Sequence, residues 1–104
     1  MVLKIGAGKG VTLFLLTRIT ASNALLVNVD LLYIPKCCDT LIESFHTKDQ
    51  TIQLIRGDSH NMDTLNRVRQ YLDRNSVDLL FIDGDHGYYG VKMEFEFYSQ
   101  LVRE

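Results

Sequence analysis

Val2-Leu3-Lys4-Ile5-Gly6-Ala7-Gly8-Lys9-Gly10-Val11 runs from an apolar stretch through three alternating glycines into a second apolar stretch that reaches Thr20. That order reads as strand, tight turn, helix. Gly6, Gly8 and Gly10 remove the side chains that would keep a ligand off the backbone, and they permit positive φ where the chain reverses. The unpaired N–H groups of the following helix face whatever occupies the turn, which suits a nucleotide. A glycine-rich corner also serves as a plain packing turn, so the rest of the chain carries the decision.

Three further β-type runs follow, Leu25 to Val29, Thr51 to Ile55 and Asp78 to Ile82. No Asn-Gly or Asp-Gly turn joins two of the runs directly, and segments with helical spacing lie between them. Leu25-Leu26-Val27 and Leu80-Phe81-Ile82 are continuous apolar runs, the pattern of strands covered on both faces. Together these predict an α/β fold with a parallel, doubly wound sheet of strand order 3-2-1-4. The whole of 1–104 reads as one domain.

The helical segments carry apolar stripes that read as core. Val11 to Thr20 is apolar almost all round. Ile34, Cys38, Leu41, Ile42 and Phe45 form the second stripe, with Pro35 placed as a helix start. Met62, Leu65, Val68 and Leu72 form the third, and Val91, Phe95, Tyr98 and Val102 the fourth. Tyr88 and Tyr89 lie just past a candidate site and are placed to line it.

Composition excludes several classes. With 46% hydrophobic and 23% charged residues the chain is that of an ordinary globular protein. A net charge of -2 argues against a nucleic-acid or anionic-membrane binder. Arg67, Arg69 and Arg74 are interrupted by Asp73 and flanked by Asp63, as on a solvated helix face. No run approaches the roughly 20 apolar residues of a membrane span, and no leader pattern opens the chain, so a cytoplasmic location is expected. Adjacent Cys37 and Cys38 suit neither an ordinary disulfide nor a metal knuckle, and read as two buried thiols.

In a doubly wound sheet ligands bind beyond the carboxyl ends of the strands. Each end here carries polar groups: the glycines after the first strand, Asp30 after the second, Gly57-Asp58-Ser59-His60 after the third and Asp83-Gly84-Asp85-His86 after the fourth. Asp30, about 20 residues beyond the glycine turn, is placed to accept both hydroxyls of a ribose. A phosphate-binding P-loop is excluded, because Gly8-Lys9 is followed by Gly10 and the position five before Gly8 is Leu3. The dinucleotide fingerprint wants glycine where Val11 stands, which counts against half of a nicotinamide-dependent oxidoreductase.

VLKIGAGKGVTLFLLTRI (2–19), VNVD (27–30), IRGDSH (55–60) and LLFIDGDHGYYGVKMEFEFYSQLV (79–102) resemble the class I S-adenosylmethionine-dependent methyltransferases. The group most similar is the small-molecule O-methyltransferase-like set that includes cephalosporin hydroxylase-like proteins. The resemblance spans the chain and implies a Rossmann-like fold. It assigns the methionine part of the cofactor to Gly6, Gly8 and Gly10, the ribose to Asp30, and the adenine to Asp58 and Ser59. Asp83 matches a divalent-cation ligand of the metal-dependent relatives, with Mg2+ expected. Such an ion would lower the pKa of an acceptor hydroxyl. Asp85 and His86 would face the small-molecule acceptor, His86 as base. The alternative for Asp83 to His86 is a hydrogen-bonded turn capping a helix that starts at Tyr88.

Two features depart from the family pattern. Lys4 stands where an acidic residue usually helps hold the cofactor's amino end, and a cation there disfavours a cationic ligand. The sequence stops at Glu104 after the fourth helix, so the expectation is a truncated fold lacking the C-terminal strands and the metal ligands they bring. The strand from Leu79 to Ile82 is then an apolar sheet edge, for which a homodimer through that edge is expected. The alternative to an active enzyme is therefore an inactive cofactor-binding or dimeric interaction module derived from one.

Overall fold

The computed structural model describes residues 1–6, 11–30, 44–47, 49–73, 75–82 and 87–103. Its strands are β1 (Val2–Ile5), β2 (Leu25–Asp30), β3 (Thr51–Arg56) and β4 (Leu79–Ile82). The helices among the described residues are α1 (Val11–Ile19), α2 (Met62–Leu72) and α3 (Tyr88–Tyr98), the last running into a 3-10 turn at Ser99–Leu101. The sheet is parallel throughout, in the expected order β3-β2-β1-β4. Leu3 pairs with Val27 on one side and Leu80 on the other, and Ile5 with Val29 and Ile82. The expected second helix lies outside the described residues, as do Pro35, Cys37, Cys38 and Arg74.

Alternation along the strands divides the sheet into two faces. Leu3, Ile5, Val27, Val29 and Ile55 point to the side of α2 and α3, where Leu65, Val68, Leu72 and Tyr98 complete a buried cluster. Val2 and Leu26 point to the other side, against Leu13 and Leu16 of α1. Each such fully buried side chain contributes roughly 1.5 to 3 kcal/mol. Gln50, just ahead of β3, ties α1 down from below. Its Nε2 donates to the Thr17 carbonyl at 2.8 Å, the Thr20 hydroxyl at 3.0 Å and the Ala21 carbonyl at 3.1 Å. The Thr17 carbonyl is in the last turn of α1, where carbonyls have no partner inside the helix, and the other two acceptors lie just past its end.

Several expectations need correction. β2 and β3 each run one residue further, because Asp30 and Arg56 continue the pairing; Asp30 is the last residue of its strand, not the first of a loop. Met62, read as core, is 55% exposed, since α2 starts there and only the turns beyond it meet the sheet. In α3 the expected apolar stripe holds only at its C-terminal end. Tyr98 is buried as expected and Val102 packs against the core, but Phe95 is 59% and Val91 40% exposed, and Glu94 is buried in their place. Apolar residues surround α3 on all sides, so helical periodicity does not select a face. β4 is not covered on both faces either. Leu80 and Ile82 pack into the core, but Leu79 and Phe81 face the α1 side half-exposed, because α1 sits over β1 and its neighbours β2 and β3. Tyr88 and Tyr89 form an edge-to-face pair exposed to solvent.

Below β4, Asp78 gathers both ends of the described chain. Its carboxylate takes the Met1 amino group at 2.6 Å and Arg103 Nε at 3.0 Å. Val102 forms an isolated parallel bridge with Val77, on the side of the chain away from β1. Beyond that bridge the outer edge of β4 from Leu79 to Ile82 has no strand beside it among the described residues. No helix among those residues is long and apolar enough to cross a membrane.

Candidate functional site

The carboxyl ends of β1, β2 and β3 are joined by backbone hydrogen bonds that extend the sheet one residue beyond the strands. Gly6 N–H donates to the Val29 carbonyl at 2.7 Å, and Gly57 N–H donates to the Asp30 carbonyl at 3.0 Å. Neighbouring strands lie about 4.8 Å apart, so Gly6, Asp30 and Gly57 stand side by side on one rim. At Gly6 the chain then leaves the sheet with φ 92°, a conformation that L side chains rarely adopt.

Gly57 meets a different constraint. A Cβ there would lie 2.6 Å from Thr64 Oγ1, so only glycine lets β3 pass this close to the start of α2. The chain then folds into a compact turn. Asp58 Oδ1 accepts the His60 N–H at 2.9 Å, the Asp58 carbonyl accepts the Asn61 N–H at 3.0 Å, and Asn61 Oδ1 accepts the Asp63 N–H at 2.8 Å. The last of these caps α2. Asp58 itself is exposed at the rim.

Beneath the turn lies a polar cluster that sequence reading missed. Glu94 of α3 is 1% exposed, and its Oε1 accepts the Ser59 hydroxyl at 2.8 Å. His60 Nε2 stands 3.5 Å from the same oxygen. Tyr98, one turn further along α3, donates its hydroxyl to the Ser59 carbonyl at 2.9 Å. Burial pushes the Tyr98 phenol up to about 12, and the charges of Glu94 and Asp58 push in the same direction. Glu94 Oε2 and His60 Nε2 are buried without hydrogen-bond partners. The signal available in the sequence is Glu94 itself, an acid one turn before the core residue Tyr98.

A second polar group lies on the α1 face of the sheet. Lys4 and Asn28 are paired across β1 and β2, 1% and 2% exposed, and Asn28 Oδ1 has no partner. The Lys4 ammonium sits 6.0 Å from the centre of the Phe81 ring. The departure noted at position 4 is thus a buried cation in the middle of the sheet.

Of the residues predicted for the site, Gly6, Asp30, Asp58 and Ser59 come together on the rim, although the Ser59 hydroxyl proton is committed inward to Glu94. Gly8, Gly10, Asp83, Asp85 and His86 lie outside the described residues. Among those described, no group of three or more His, Cys, Asp or Glu side chains is arranged to hold a metal ion.

A comparison with protein families matches residues 3–104 to a family described as a methyltransferase domain. This chain belongs to that family. No curated protein is similar enough to be matched. The methyltransferase domain accounts for the class I resemblance and for the Rossmann-like sheet order together, since the match covers every described strand and helix apart from the first residue of β1. Such domains in general draw on S-adenosylmethionine as methyl donor, and the rim of glycine, acid and turn is where this methyltransferase domain presents its polar groups.

Proposed function

We propose that the chain binds S-adenosylmethionine across the carboxyl ends of β1, β2 and β3 and transfers its methyl group to a hydroxyl of a small molecule. The observation that carries this is the pair of backbone bonds, Gly6 to Val29 and Gly57 to Asp30, which bring a positive-φ glycine, a strand-end carboxylate and a polar turn side by side, the positions to which the family resemblance assigns methionine, ribose and adenine. Bound there, the cofactor supplies an electrophilic methyl group on a sulfonium. Gly6, with Gly8 and Gly10, admits its methionine end; Asp30 accepts from the ribose hydroxyls; Asp58 and Ser59 flank the adenine. By the family resemblance Asp85 and His86 are the acceptor-side residues, and His86 is the base that takes the proton the acceptor oxygen loses as it gains the methyl group from the sulfonium. Asp83 is the candidate ligand for Mg2+. The described residues supply no further ligand set, so no step is assigned to a metal.

Calorimetric titration with S-adenosylhomocysteine tests the reading. Micromolar binding is expected, weakened by about 1 kcal/mol or more in Asp30→Ala, the scale of a hydrogen bond lost from a charged group. No binding at millimolar ligand would overturn it.

Lys4, standing where the family usually has an acid that helps hold the cofactor's amino end, favours a second reading, an inactive cofactor-binding or interaction module. A transferase assay on catechol-like acceptors with added magnesium separates the two, since only an enzyme forms methylated product.

Under either reading we propose a homodimer through the β4 edge. Leu79, Leu80, Ile82, Phe95 and Val102 line an open groove of about 610 Å³ along that edge, with Asp78 and Arg103 at one end. A strand edge of this apolarity associates unless covered. Light scattering should give twice the chain mass at tens of micromolar; a monomeric mass rejects the dimer.

A further inference from the structure

Ser59 is held at both its side chain and its backbone by one helix. Glu94 Oε1 takes its hydroxyl proton and the Tyr98 hydroxyl caps its carbonyl, from positions one helical turn apart on α3. His60 Nε2 also approaches Glu94 Oε1 at 3.5 Å, so the turn's long-range contacts all go to α3, and the other described hydrogen bonds of residues 57–61 are local or belong to the sheet. A carboxylate buried to 1% with one oxygen unpartnered is a costly choice where an apolar residue would pack. That cost is offset only through what the carboxylate holds, which is the turn beside Asp58. The Asp58 carboxylate stands at the rim with Oδ1 engaged by the His60 N–H, so its direction depends on the shape of this turn.

We infer that Glu94 is a positioning residue: acting through Ser59, with Tyr98 as its companion, it sets the turn at 57–60 so that Asp58 selects a purine carrying a 6-amino donor over one carrying a 6-oxo acceptor. The inference rests on the adenosine reading of this rim. It adds that the selectivity is controlled from α3, by a residue that touches no ligand. The chemistry is direct. A carboxylate accepts hydrogen bonds and repels another acceptor, so discrimination requires that it be aimed, and a turn released from α3 loses that aim.

The test compares S-adenosylhomocysteine with its 6-oxo (inosine) analogue by calorimetry, in the wild-type chain, Glu94→Ala, Glu94→Gln and Tyr98→Phe. Wild type should prefer the 6-amino ligand by roughly tenfold, the scale of one hydrogen bond to a charged group. Glu94→Ala should bring the two affinities to within about threefold, while Glu94→Gln, which keeps an acceptor for Ser59, retains most of the preference. A residue with only a structural role would weaken both ligands equally and leave the ratio unchanged, and that result overturns the inference. Amide hydrogen exchange tests the clamp without ligand. Residues 58–61 should exchange faster in Glu94→Ala and Tyr98→Phe while residues 65–72 do not change; unchanged or uniformly faster exchange rejects the clamp. If wild type binds neither ligand, the adenosine reading and its purine selectivity fall together, and the exchange result decides the clamp alone. Should Glu94→Ala fail to fold, Tyr98→Phe, which removes one oxygen, gives the same exchange readout.

Discussion

The Tyr98 hydroxyl donates to the Ser59 carbonyl at 2.9 Å across 39 residues of chain. Burial first, then the charges of Glu94 and Asp58, raise the Tyr98 phenol from 10.0 to about 12. An ultraviolet difference titration should show Tyr98 ionising only near that value, a step that Tyr98→Phe removes. Because the neutral form is favoured in the folded state, its stabilisation is complete below pH 10 and is lost as pH rises toward 12. Tyr98→Phe should cost about 1 kcal/mol at neutral pH and flatten the alkaline fall in stability. Urea denaturation across that range measures both.

Gly57→Ala forces a Cβ to within 2.6 Å of Thr64 Oγ1, a buried side chain at the start of α2. Overpacking of this kind costs about 1 to 3 kcal/mol. The double variant Gly57→Ala/Thr64→Ala should recover part of that loss. Additive losses in a double-mutant cycle would show that the two positions do not meet.

Gln50→Ala removes the amide that caps the end of α1 and leaves the Thr17 carbonyl without its buried donor. A loss of about 1 to 3 kcal/mol is expected. Gln50→Glu should do no better, since it replaces the donor with a second acceptor. Thermal denaturation of the two variants beside wild type checks the order.

At Asp78 the Met1 amino group, by hydrogen bond and then by charge, and more weakly Arg103, hold the carboxyl below its ordinary value of 3.8. This contribution to stability is present above the ordinary carboxylate range and is lost as pH falls through the depressed folded value. The pair is half-exposed and should weaken with added salt. Asp78→Asn should therefore destabilise the chain at neutral pH and low salt, with a deficit that closes in strong acid and in high salt. A deficit independent of both would assign the effect to something other than charge.

The glycine turn, four apolar runs and absence of hairpin turns were enough to predict the parallel sheet and its order, because apolar runs and turn residues are local in sequence. Leu65, Val68 and Leu72 were legible as core for the same reason: α2 has one apolar stripe and a polar remainder. The strand ends also located the rim, since the order 3-2-1-4 leaves no other place for Gly6, Asp30 and Asp58 to meet.

The buried face of α3 was a different matter. Val91, Phe95, Phe97 and Tyr98 leave its periodicity undecided, and the face turned inward is the one whose acid finds a partner in Ser59, 35 residues earlier. Likewise, that Lys4 is buried beside Asn28 follows from strand pairing, and that Leu79 and Phe81 stay half-exposed follows from α1 covering the strands on one side of β4. The sequence by itself determined which of the described segments are strands and helices and in what order they lie. Only the tertiary structure decided which side of α3 faces the core, because the satisfaction of a buried charge depends on groups that only folding brings within hydrogen-bond reach.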